Sequence, residues 1–595
     1  MSAAVDNGGG AKASSVIGQT SSGASVGEIL ERSYSSGATY TPVNPNRYNT
    51  RSASDARTTP AHRTFTVRIE QPVQSVDLEA RAYIRDEGAV DSNNASWQWS
   101  RTTELYMCSN ESCPNKDESK EARFEFVCFE KRARFCSPAC LKQGWSKHKA
   151  INQFVKPAAP EGDKKDQVAM VEDILNGYGP SATAVVEKTF ENVAFTREYQ
   201  PTADDVGRIL KVDIQSHSGF SSSRCSRMVL PFPEMPPPRP VVYAQAQHPV
   251  TNERIRVVTY NVLASIYATQ TMFSYCPMWA LSWNFRKGMI LNELISYDAD
   301  ILCMQEVQAD HFESFLYPQL SQLGYEGLYK KKTREAFGPK GRIDGCAMFY
   351  KRNKFQLRVN NVIEFNEAAL KMANEDRFVN PIPMEGTNEN SIQRLLRDNV
   401  AQICVLEMMG QYNVPIQICV SNVHVFWDPK FADVKLWQAH ILVKELQNFI
   451  AQNDLPLILM GDFNSEPKSG VYELLSTRQV PRGHEDIQKD VIGILPPAVK
   501  LTHNLPLASA YATVLGEEPM YTNYTGHYKG TLDYIWYSAD RLVPTAALDI
   551  PGPAELQASV GKNGAMPCAK YPSDHFSMCC DFSFIDRHSL HQQQQ

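Results

Sequence analysis

The spacing of apolar and polar positions changes along the chain and divides it into segments with different predicted secondary structure. Alternation of period two around Phe65, and again around Trp97, predicts strands that we interpret as a small β element. From about residue 254 to 585, apolar runs of strand length alternate with amphipathic stretches of helical period at 285–297 and 434–452. This alternation is typical of α/β layers, so we expect the largest domain here.

Weaker patterns before residue 254 predict smaller units. Three short strand-like runs, with a polar turn among them, predict a small β module within 183–229. Residues 230–250 are rich in proline, which cannot pair in the centre of a sheet, and we expect an extended linker of polyproline character. The Ser-, Gly- and Ala-rich start lacks Phe, Trp and Cys, which predicts a disordered tail. The predicted order is a tail (1–62), a small β element (63–106), a cysteine-rich segment (107–153), a linker (154–182), the small β module (183–229), the proline-rich linker (230–250), an α/β domain (251–585) and a second tail (586–595).

In the α/β domain, most predicted strands carry, usually at one end, a side chain that can bind a metal ion or transfer a proton. Because strand ends on one edge of a layered sheet converge, we expect these side chains to share one cleft. Taken singly, an Asn or Asp after a strand more often makes only a turn hydrogen bond, so the ordered series is what favours a site. The series consists of Asn261, Glu306, Asn422, His424, Asp462, Asn464, Asp533, Asp574 and His575.

The residue types in this series indicate one class of chemistry. Carboxylates and amides are hard oxygen ligands that suit Mg²⁺ or Mn²⁺, and no cysteine accompanies them as in a zinc site. Together with histidines, such a set can activate water and stabilise a pentacoordinate phosphate. The sequence therefore predicts metal-assisted phosphodiester hydrolysis.

Composition and charge limit the kind of protein that could carry out this chemistry. The length of 595 residues is enough for roughly two to four domains, and 43% hydrophobic with 21% charged residues is ordinary globular usage. With a net charge of −6, nucleic-acid binding needs a local basic surface. No apolar run is long enough to cross a membrane and the first residues lack a secretory signal, so we expect a cytosolic or nuclear protein. One basic run, which is as readily a solvated loop as a phosphate-tracking surface, consists of Lys330, Lys331, Lys332 and Arg334.

Several motifs of the α/β domain, among them QEV, GDFNS and PSDHFS, occur in the order seen in the endonuclease/exonuclease/phosphatase superfamily. Longer segments, including WDPKFADVKLWQ and YTNYTGHYKGTLDYIWY, resemble the carbon catabolite repressor type of poly(A)-specific deadenylase over residues 250–585. The segment YQPTADDVGRILKVDI and a cysteine-histidine finger resemble the plant-type branch of that family, which has them in place of leucine-rich repeats. The resemblance implies an α/β fold in which a two-layer β-sandwich is flanked by helices.

The finger segment resembles a MYND-type zinc finger. Cysteines cluster between residues 108 and 140, which in a reducing compartment indicates zinc rather than disulfides. By the resemblance, Cys128 and His148 are candidate ligands of a second zinc, whereas Lys131 and Asn152 stand where further ligands are expected. Such fingers bind proline-rich peptides, and the alternative is a finger that only stabilises its own small fold. The ligands of the first zinc would be Cys108, Cys113, Cys136 and Cys140.

The resemblance also implies a metal centre for the nuclease. Glu306 would be the principal Mg²⁺ ligand, with Asn261 holding metal or phosphate and Asp574 completing the shell. Sites of this kind use two Mg²⁺ ions, and Mn²⁺ is an alternative. Asp462 and Asn464 would position the attacking water and the scissile phosphate.

Further roles follow for the histidines and for base recognition. His424 would bind a phosphate oxygen, and Asp533 would orient His575, which contacts the phosphate or acts as acid or base. A single-stranded RNA end is held best by stacking and by hydrogen bonds to the base edge. The residues that match the family's adenine pocket are Asn523, Tyr528 and Pro429.

The function that the resemblance implies is a Mg²⁺-dependent 3′-to-5′ exoribonuclease that shortens mRNA poly(A) tails and releases 5′-AMP. As a catalytic subunit it would join a partner deadenylase and a scaffold in the cytoplasmic deadenylase complex, at mRNA-decay bodies and also in the nucleus, with the finger and a proline-rich peptide as the candidate contact. Two alternatives stay open. One is the same fold acting on another phosphoester, such as a 2′,5′-oligoadenylate; the other is a non-catalytic scaffold.

Overall fold

The computed structural model describes most of the chain from residue 189 onwards and parts of the region before it. The chain divides into two compact units. One comprises residues 56–427 and 431–595, and of the other only residues 428–430 are described. No helix in the described parts is long and apolar enough to cross a membrane. The described residues are 65–69, 73–74, 78–84, 88–89, 95–103, 124–128, 131–135, 189–216, 221–244, 249–333, 342–374, 391–410, 415–490, 495, 501–560 and 564–586.

Seven strands form one layer of the α/β domain, here called sheet A. Its central strands are apolar on both faces, as in Ile301–Gln308, where every residue except Glu306 is buried. Such continuous burial is expected of strands covered on both sides. In spatial order the strands are Val241–Tyr243, Leu542–Leu548, Met578–Ile585, Val250–Asn261, Ile301–Gln308, Asp344–Lys351 and Tyr325–Lys331.

Six strands form the second layer, sheet B, which packs face to face on sheet A. Ile301 and Met348 from sheet A lie in one buried cluster with Val420 and Ile458 from sheet B. The predicted two-layer β-sandwich is therefore confirmed. The strands of sheet B are Phe355–Glu364, Val400–Met408, Gln417–His424, Leu457–Asp462, Asp533–Ser538 and Leu507–Ser509.

Helices cover the outer faces of the sandwich. The helix predicted at 285–297 is observed at Trp283–Tyr297, and the one predicted at 434–452 is observed at Ala432–Asn453. Each buries its apolar side against a different sheet, so both predictions are confirmed. The other α-helices of the described residues are Met278–Leu281, Ala309–His311, Tyr317–Gln322, Phe365–Asn374, Ser391–Leu395, Gly470–Thr477, Glu485–Gln488, Ala510–Leu515 and Pro553–Val560, with a π turn at Phe312–Leu316 and 3₁₀ turns at Ala203–Asp205 and Pro429–Phe431.

Two parallel strand pairs determine where the polar strand ends meet. Val250–Asn261 pairs in parallel with Ile301–Gln308, and Gln417–His424 pairs in parallel with Leu457–Asp462. The helices at 283–297 and 432–453 supply the crossovers that parallel pairing requires. As a result, the carboxyl ends of each pair lie on one edge of its sheet.

The strands before residue 230 include one sheet assembled from distant segments. Ala95–Thr102 pairs with Phe190–Ala194 on one side and with Ile209–Ser216 on the other. The segments expected as a small β element (63–106) and a small β module (183–229) therefore share a sheet. Alternation along the chain marks a strand but does not identify its neighbour, which is why the pairing was not predicted. The remaining strands are Ser221–Met228 in this sheet, Phe65–Ile69, Leu78–Ile84, Gly88–Ala89 and Glu198–Tyr199 in another, and the two-stranded pairs Phe124–Cys128 with Lys131–Phe135, Gln479–Val480 with Leu501–Thr502, and Asn523–Tyr524 with Lys529–Gly530.

The proline-rich linker leads directly into sheet A. Residues 231–240 form neither helix nor strand, as expected of a linker. Near its end, Arg239 Nη2 donates hydrogen bonds to the Ser577 carbonyl oxygen (2.7 Å) and to Tyr297 Oη (3.0 Å). Val241–Tyr243 then pairs as the edge strand of sheet A. An edge position suits a segment beside prolines, because one side of an edge strand forms no ladder hydrogen bonds.

Candidate active site

Strand ends from both sheets bring predicted site residues to one edge of the sandwich. Asn261 closes its strand in sheet A, while His424 and Asp462 close two neighbouring strands of sheet B. In the ladder, Asp462 lies opposite His424 on one side and opposite Asp533 on the other. The predicted convergence is therefore observed for these residues.

The sequence predicts Glu306 at the end of its strand and Asp533 inside one, and the structure differs for both. Glu306 does not end its strand but lies at a bulge between Met304 and Val307, with a φ of 58°. A bulge changes the direction of a side chain without ending the strand. Asp533 is the first residue of Asp533–Ser538 rather than an internal one, because this strand runs antiparallel to its neighbour and begins at the edge where the others end.

The loop after Asn261 holds the carboxylate of Glu306. Glu306 Oε2 accepts a hydrogen bond from the Ala264 backbone amide (2.9 Å), and Oε1 accepts one from Asn261 Nδ2 (3.2 Å). Asn261 Oδ1 in turn accepts from the Leu263 amide at 3.0 Å, and Leu263 has a φ of 56°. A left-handed conformation in a non-glycine residue costs about 1–3 kcal/mol and persists where the surroundings enforce it, which is characteristic of functional sites.

Asp462 lies at the centre of the cluster. Its Oδ2 accepts a hydrogen bond from Asn261 Nδ2 (3.0 Å) and is 3.6 Å from His424 Nε2 and 3.9 Å from His575 Nε2. Its Oδ1 accepts from the Asn464 amide (2.8 Å), and Asn464 also has a positive φ, of 48°. Both oxygens of Asp462 thus face groups that the sequence placed in the site.

Asp533 and His575 form a buried pair. Asp533 Oδ2 and His575 Nδ1 are 2.8 Å apart, and Thr522 Oγ1 donates to the same oxygen at 2.6 Å. Thr522 also accepts from the Asp533 amide at 3.0 Å, which fixes the carboxylate. Because Nδ1 is bound to a carboxylate, the ring is oriented with Nε2 toward Asp462. This arrangement suits a histidine that binds or transfers a proton at Nε2.

Asp574 connects the acidic cluster with the expected base pocket. Its Oδ2 accepts a hydrogen bond from Asn523 Nδ2 at 3.1 Å, and its carbonyl oxygen accepts from the Tyr524 amide at 2.9 Å. Asn523 is buried and forms an isolated bridge with His575. Asn523, which is matched to the adenine pocket, is therefore held by a carboxylate of the cluster.

The acids of the cluster shift one another's pKa. Burial raises the pKa of Asp462 to about 7, the charge of Asp533 adds to the shift, and His575 opposes it. Burial likewise raises the pKa of Glu306, with a further contribution from Asp574. For His575, burial alone would lower the pKa, but the surrounding carboxylates outweigh it and raise the pKa well above its ordinary value. Ionised carboxylates in this buried cluster are therefore unfavourable without a nearby positive charge.

The donor set fits a divalent cation. Ligand atoms of Asp462, Asp533 and His575 all lie within 4.8 Å of one another. Within the described part of the chain, the buried Oδ1 atoms of Asp533 and Asp574 have no hydrogen-bond partner. Free carboxylate oxygens are the ligands that Mg²⁺ and Mn²⁺ prefer, and a cation would offset both the burial and the neighbouring negative charge that raise the pKa values. These residues match the predicted kind of metal ion, but the clustered group differs from the predicted ligands Glu306, Asn261 and Asp574.

Asn422 does not belong to this cluster, and its inclusion in the series was wrong. Its Nδ2 donates to the carbonyl oxygens of Met304 (3.2 Å) and Ala347 (3.0 Å), and its Oδ1 accepts from Gln305 Nε2 (2.8 Å). Asn422 shares a strand face with His424 but lies one step deeper in the sandwich. Its amide joins the two sheets and is fully buried.

The residues matched to the adenine pocket lie in short elements. Asn523–Tyr524 pairs with Lys529–Gly530, and Tyr528 precedes the second of these strands. Tyr528 is half-buried, and its hydroxyl donates a hydrogen bond to Glu466 Oε1 at 2.8 Å. Pro429 opens a single 3₁₀ turn.

Arg286 supports the site but was not predicted. It is fully buried and donates hydrogen bonds to the carbonyl oxygens of Val262 (2.9 Å) and Pro572 (3.1 Å). It therefore joins the loop that follows Asn261 to the loop that precedes Asp574. In the sequence, Arg286 looks like an ordinary polar residue of an amphipathic helix, and no local pattern reveals its burial.

A buried ion pair lies in the segment that the sequence described as a basic run. Lys332 Nζ is 2.9 Å from Asp344 Oδ2, and Tyr267 Oη donates to Asp344 Oδ1 at 3.0 Å. The solvated-loop interpretation is therefore wrong for Lys332, since its partner Asp344 is also buried. Lys330 pairs with Glu364. Arg334 lies outside the described residues.

The predicted zinc ligands are not among the residues whose side chains the structure describes. For Cys128 only the backbone is described, at the end of the strand Phe124–Cys128. The zinc finger therefore stays a prediction. The ligands that lie outside the described residues are Cys108, Cys113, Cys136, Cys140 and His148.

Known proteins resemble the chain over most of its length. The model of the endonuclease/exonuclease/phosphatase family matches residues 258–575. Carbon catabolite repressor protein 4 homolog 1 of Arabidopsis thaliana is 33% identical over 516 residues, which is 76% of this chain and 84% of that protein. Homolog 2 of the same plant is 32% identical over 519 residues, with the same coverage of 76% and 84%. The CCR4-Not complex 3′-5′-exoribonuclease subunit Ccr4 of Mycosarcoma maydis is 37% identical over 362 residues, 56% of this chain and 51% of that protein. The chain therefore belongs to the endonuclease/exonuclease/phosphatase family and, within it, to the homologues of carbon catabolite repressor protein 4.

Proposed function

We propose that this protein is a Mg²⁺-dependent 3′-to-5′ exoribonuclease that shortens mRNA poly(A) tails and releases 5′-AMP. The observation that carries the proposal is the cluster in which Asp462 approaches Asn261, His424 and His575 at one edge of the sandwich. Acids, amides and imidazoles in this grouping suit phosphodiester hydrolysis better than other chemistry. An RNA 3′ end as the substrate is supported by relatives named as 3′-5′ exoribonuclease subunits.

In this proposal Glu306 and Asp574 hold the metal, with Asn261 beside Glu306. The unpartnered Oδ1 of Asp574 and the raised pKa of Glu306 support the assignment, because both favour a nearby cation. When bound, the metal supplies Lewis-acid stabilisation of charge on the phosphate and lowers the pKa of bound water.

The remaining polar residues act on the phosphate and on the water. Asp533 holds Nδ1 of His575, so Nε2 is free to donate a hydrogen bond to a phosphate oxygen or a proton to the leaving 3′-oxygen. The raised pKa of His575 keeps this proton in place at neutral pH. Asp462 and Asn464 position the attacking water, and His424 binds a phosphate oxygen as charge develops there.

Adenine selection is assigned to Asn523, with Tyr528 and Pro429 for the faces of the base. Stacking holds any base, so the preference for adenine needs a hydrogen bond to its edge. Asn523 Nδ2 is engaged by Asp574, which leaves Oδ1 as the acceptor for the exocyclic amino group. Uracil presents a carbonyl oxygen in place of that amino group and would leave the acceptor unpaired.

Digestion of 5′-labelled RNAs that end in oligo(A) or oligo(U) tests this function. Wild-type protein with Mg²⁺ is expected to shorten the oligo(A) tail stepwise, to release 5′-AMP and to stop in EDTA. Asp462→Ala should lose the activity, whereas Asp204→Ala, which removes a carboxylate that is 81% exposed, should keep it. Equal shortening of both tails would refute the adenine pocket, and folded wild-type protein that cleaves neither RNA would refute the nuclease.

We also propose that the protein is the catalytic subunit of a cytoplasmic deadenylase complex. Fungal relatives carry the name of the CCR4-Not complex, which supports assembly with a partner deadenylase and a scaffold. The finger built on Cys108 would hold zinc and contact a proline-rich peptide of the partner.

A further inference from the structure

One hydrogen bond connects the loop of the acidic cluster to the hairpin of the base pocket. Tyr528 Oη donates to Glu466 Oε1 at 2.8 Å. Glu466 follows Asp462 and Asn464 in the segment GDFNSE. The loop that follows Asp462 and carries Asn464 is therefore tied to an aromatic ring that is matched to the adenine pocket.

The backbone of Tyr528 is already fixed by the hairpin. The Thr525 amide donates to the Tyr528 carbonyl oxygen (2.8 Å), and the Tyr528 amide donates to Thr525 Oγ1 (2.9 Å). The remaining freedom of Tyr528 is rotation of its side chain. The bond to Glu466, which is an exposed residue, restrains that rotation because it holds the far end of the ring.

Gly530 leaves the space that this hydrogen bond occupies. A Cβ atom at Gly530 would lie 2.3 Å from Tyr528 Oη and 3.3 Å from Glu466 Oε1. Only glycine at this position leaves room for the hydroxyl in its observed place. Burial and the hydrogen bond to Glu466 raise the pKa of Tyr528 above its ordinary value.

We propose that Glu466 is a positioning residue for substrate recognition, which holds the Tyr528 ring in the orientation that stacks on the terminal base of the RNA. The proposal rests on the proposed function, since it assumes that Tyr528 meets a base. A ring that is fixed before the RNA arrives loses less conformational entropy on binding. The contribution of Glu466 should therefore lie in KM and leave kcat unchanged.

Kinetics of oligo(A) shortening by the full-length protein test this role. Tyr528→Phe and Glu466→Leu are each expected to raise KM about three- to tenfold, with kcat within about twofold of wild type. Glu466→Gln should restore a KM near that of wild type, because its amide oxygen still accepts from the hydroxyl. The double variant Tyr528→Phe/Glu466→Leu should raise KM no more than either single change.

Tyr472 offers a matched control. Its hydroxyl donates to Glu518 Oε1 at 3.0 Å, the same kind of bond in the same domain. Tyr472→Phe should therefore change KM by less than about twofold, because this ring is not assigned to the base. A fall in kcat without a rise in KM for Glu466→Leu, or additive effects in the double variant, would overturn the proposal.

A second measurement separates this inference from the proposed function. Urea unfolding of wild type, Tyr528→Phe, Glu466→Leu and the double variant should show non-additive shifts of the midpoint if the hydrogen bond exists in solution. Additive shifts overturn the inference whatever the activity. If wild-type protein shortens no RNA, the proposed function fails and stacking on a base fails with it. If wild-type protein shortens oligo(A) but Glu466→Leu behaves like wild type, only the inference fails.

Discussion

The pKa of Asp462 is raised because its carboxylate is buried beside a second carboxylate, that of Asp533. Its pKa of about 7 lies above the ordinary 3.8, so the folded protein binds a proton there that the unfolded chain has already released. Between these two values, stability without metal must fall as the pH rises. The raised pKa of His575 acts in the same direction above its ordinary 6.5, since the stability it contributes is lost as the pH rises.

This fall of stability with rising pH predicts the effect of replacing Asp462 by asparagine. In EDTA, the thermal midpoint of wild type should fall between about pH 5.5 and pH 8, and Asp462→Asn should flatten the fall and raise the midpoint at pH 8. Mg²⁺ should restore wild type at the higher pH and should affect the variant much less. Differential scanning calorimetry measures this, with Asp204→Asn as the exposed control. A midpoint at pH 8 that falls further in Asp462→Asn than in wild type would contradict the prediction.

Single site residues could be predicted where a side chain that can bind a metal ion or transfer a proton follows a strand-like pattern. Asp462 and His575 were found because a distinctive side chain lies at or near the end of an apolar run. Asn422 met the same criterion and was wrong, because its burial between the sheets decides its role. Thr522 and Arg286 were missed, since a hydroxyl that fixes a carboxylate and a buried arginine look locally like ordinary polar residues.

At the scale of elements, the close approach of two strands in sheet B depends on Gly461. It has a φ of 147°, and a Cβ atom there would lie 2.0 Å from the Val423 carbonyl oxygen. A backbone oxygen cannot move without shifting the strand to which it belongs. His424 and Asp462, each adjacent to one of these residues, would move with the two strands.

Gly461→Ala should therefore damage both stability and catalysis. We expect the free energy of unfolding to fall by about 2 kcal/mol or more, and kcat for oligo(A) to fall at least about tenfold. Gly288, inside the helix Trp283–Tyr297, is the matched control, because a Cβ atom there would meet nothing within 4 Å. Gly288→Ala should stabilise the protein by about 0.5–1 kcal/mol. Urea unfolding and initial rates measure both, and a Gly461→Ala variant as active and stable as wild type would contradict the argument.

Elements were predictable to the extent that their pattern is local. The two long helices were recognised because a helical period repeats within each one. The partnership of Ala95–Thr102 with Ile209–Ser216 was not, because it depends on residues more than a hundred positions apart. The bulge at Glu306 was also missed, since one extra residue in a strand leaves no sequence mark.

At the scale of the whole molecule, residues before the α/β domain contribute to its core. Val73 and Leu230 lie in one buried cluster with Leu263, Phe273 and Phe285. Leu263 is the residue whose amide holds the Asn261 side chain. Packing from the N-terminal side therefore supports the loop that positions Asn261.

Leu230→Ala tests whether this support reaches the active site. Leu230 is only 4% exposed, so truncation should lower the free energy of unfolding by about 2–5 kcal/mol. Because the cavity would lie beside Leu263, we also expect a lower kcat for oligo(A) under conditions in which the variant is fully folded. Phe195→Ala, at a side chain that is 71% exposed, is the control and should change neither quantity appreciably. A loss of stability with an unchanged kcat would show that the N-terminal packing stabilises the α/β domain without contributing to the geometry of its active site.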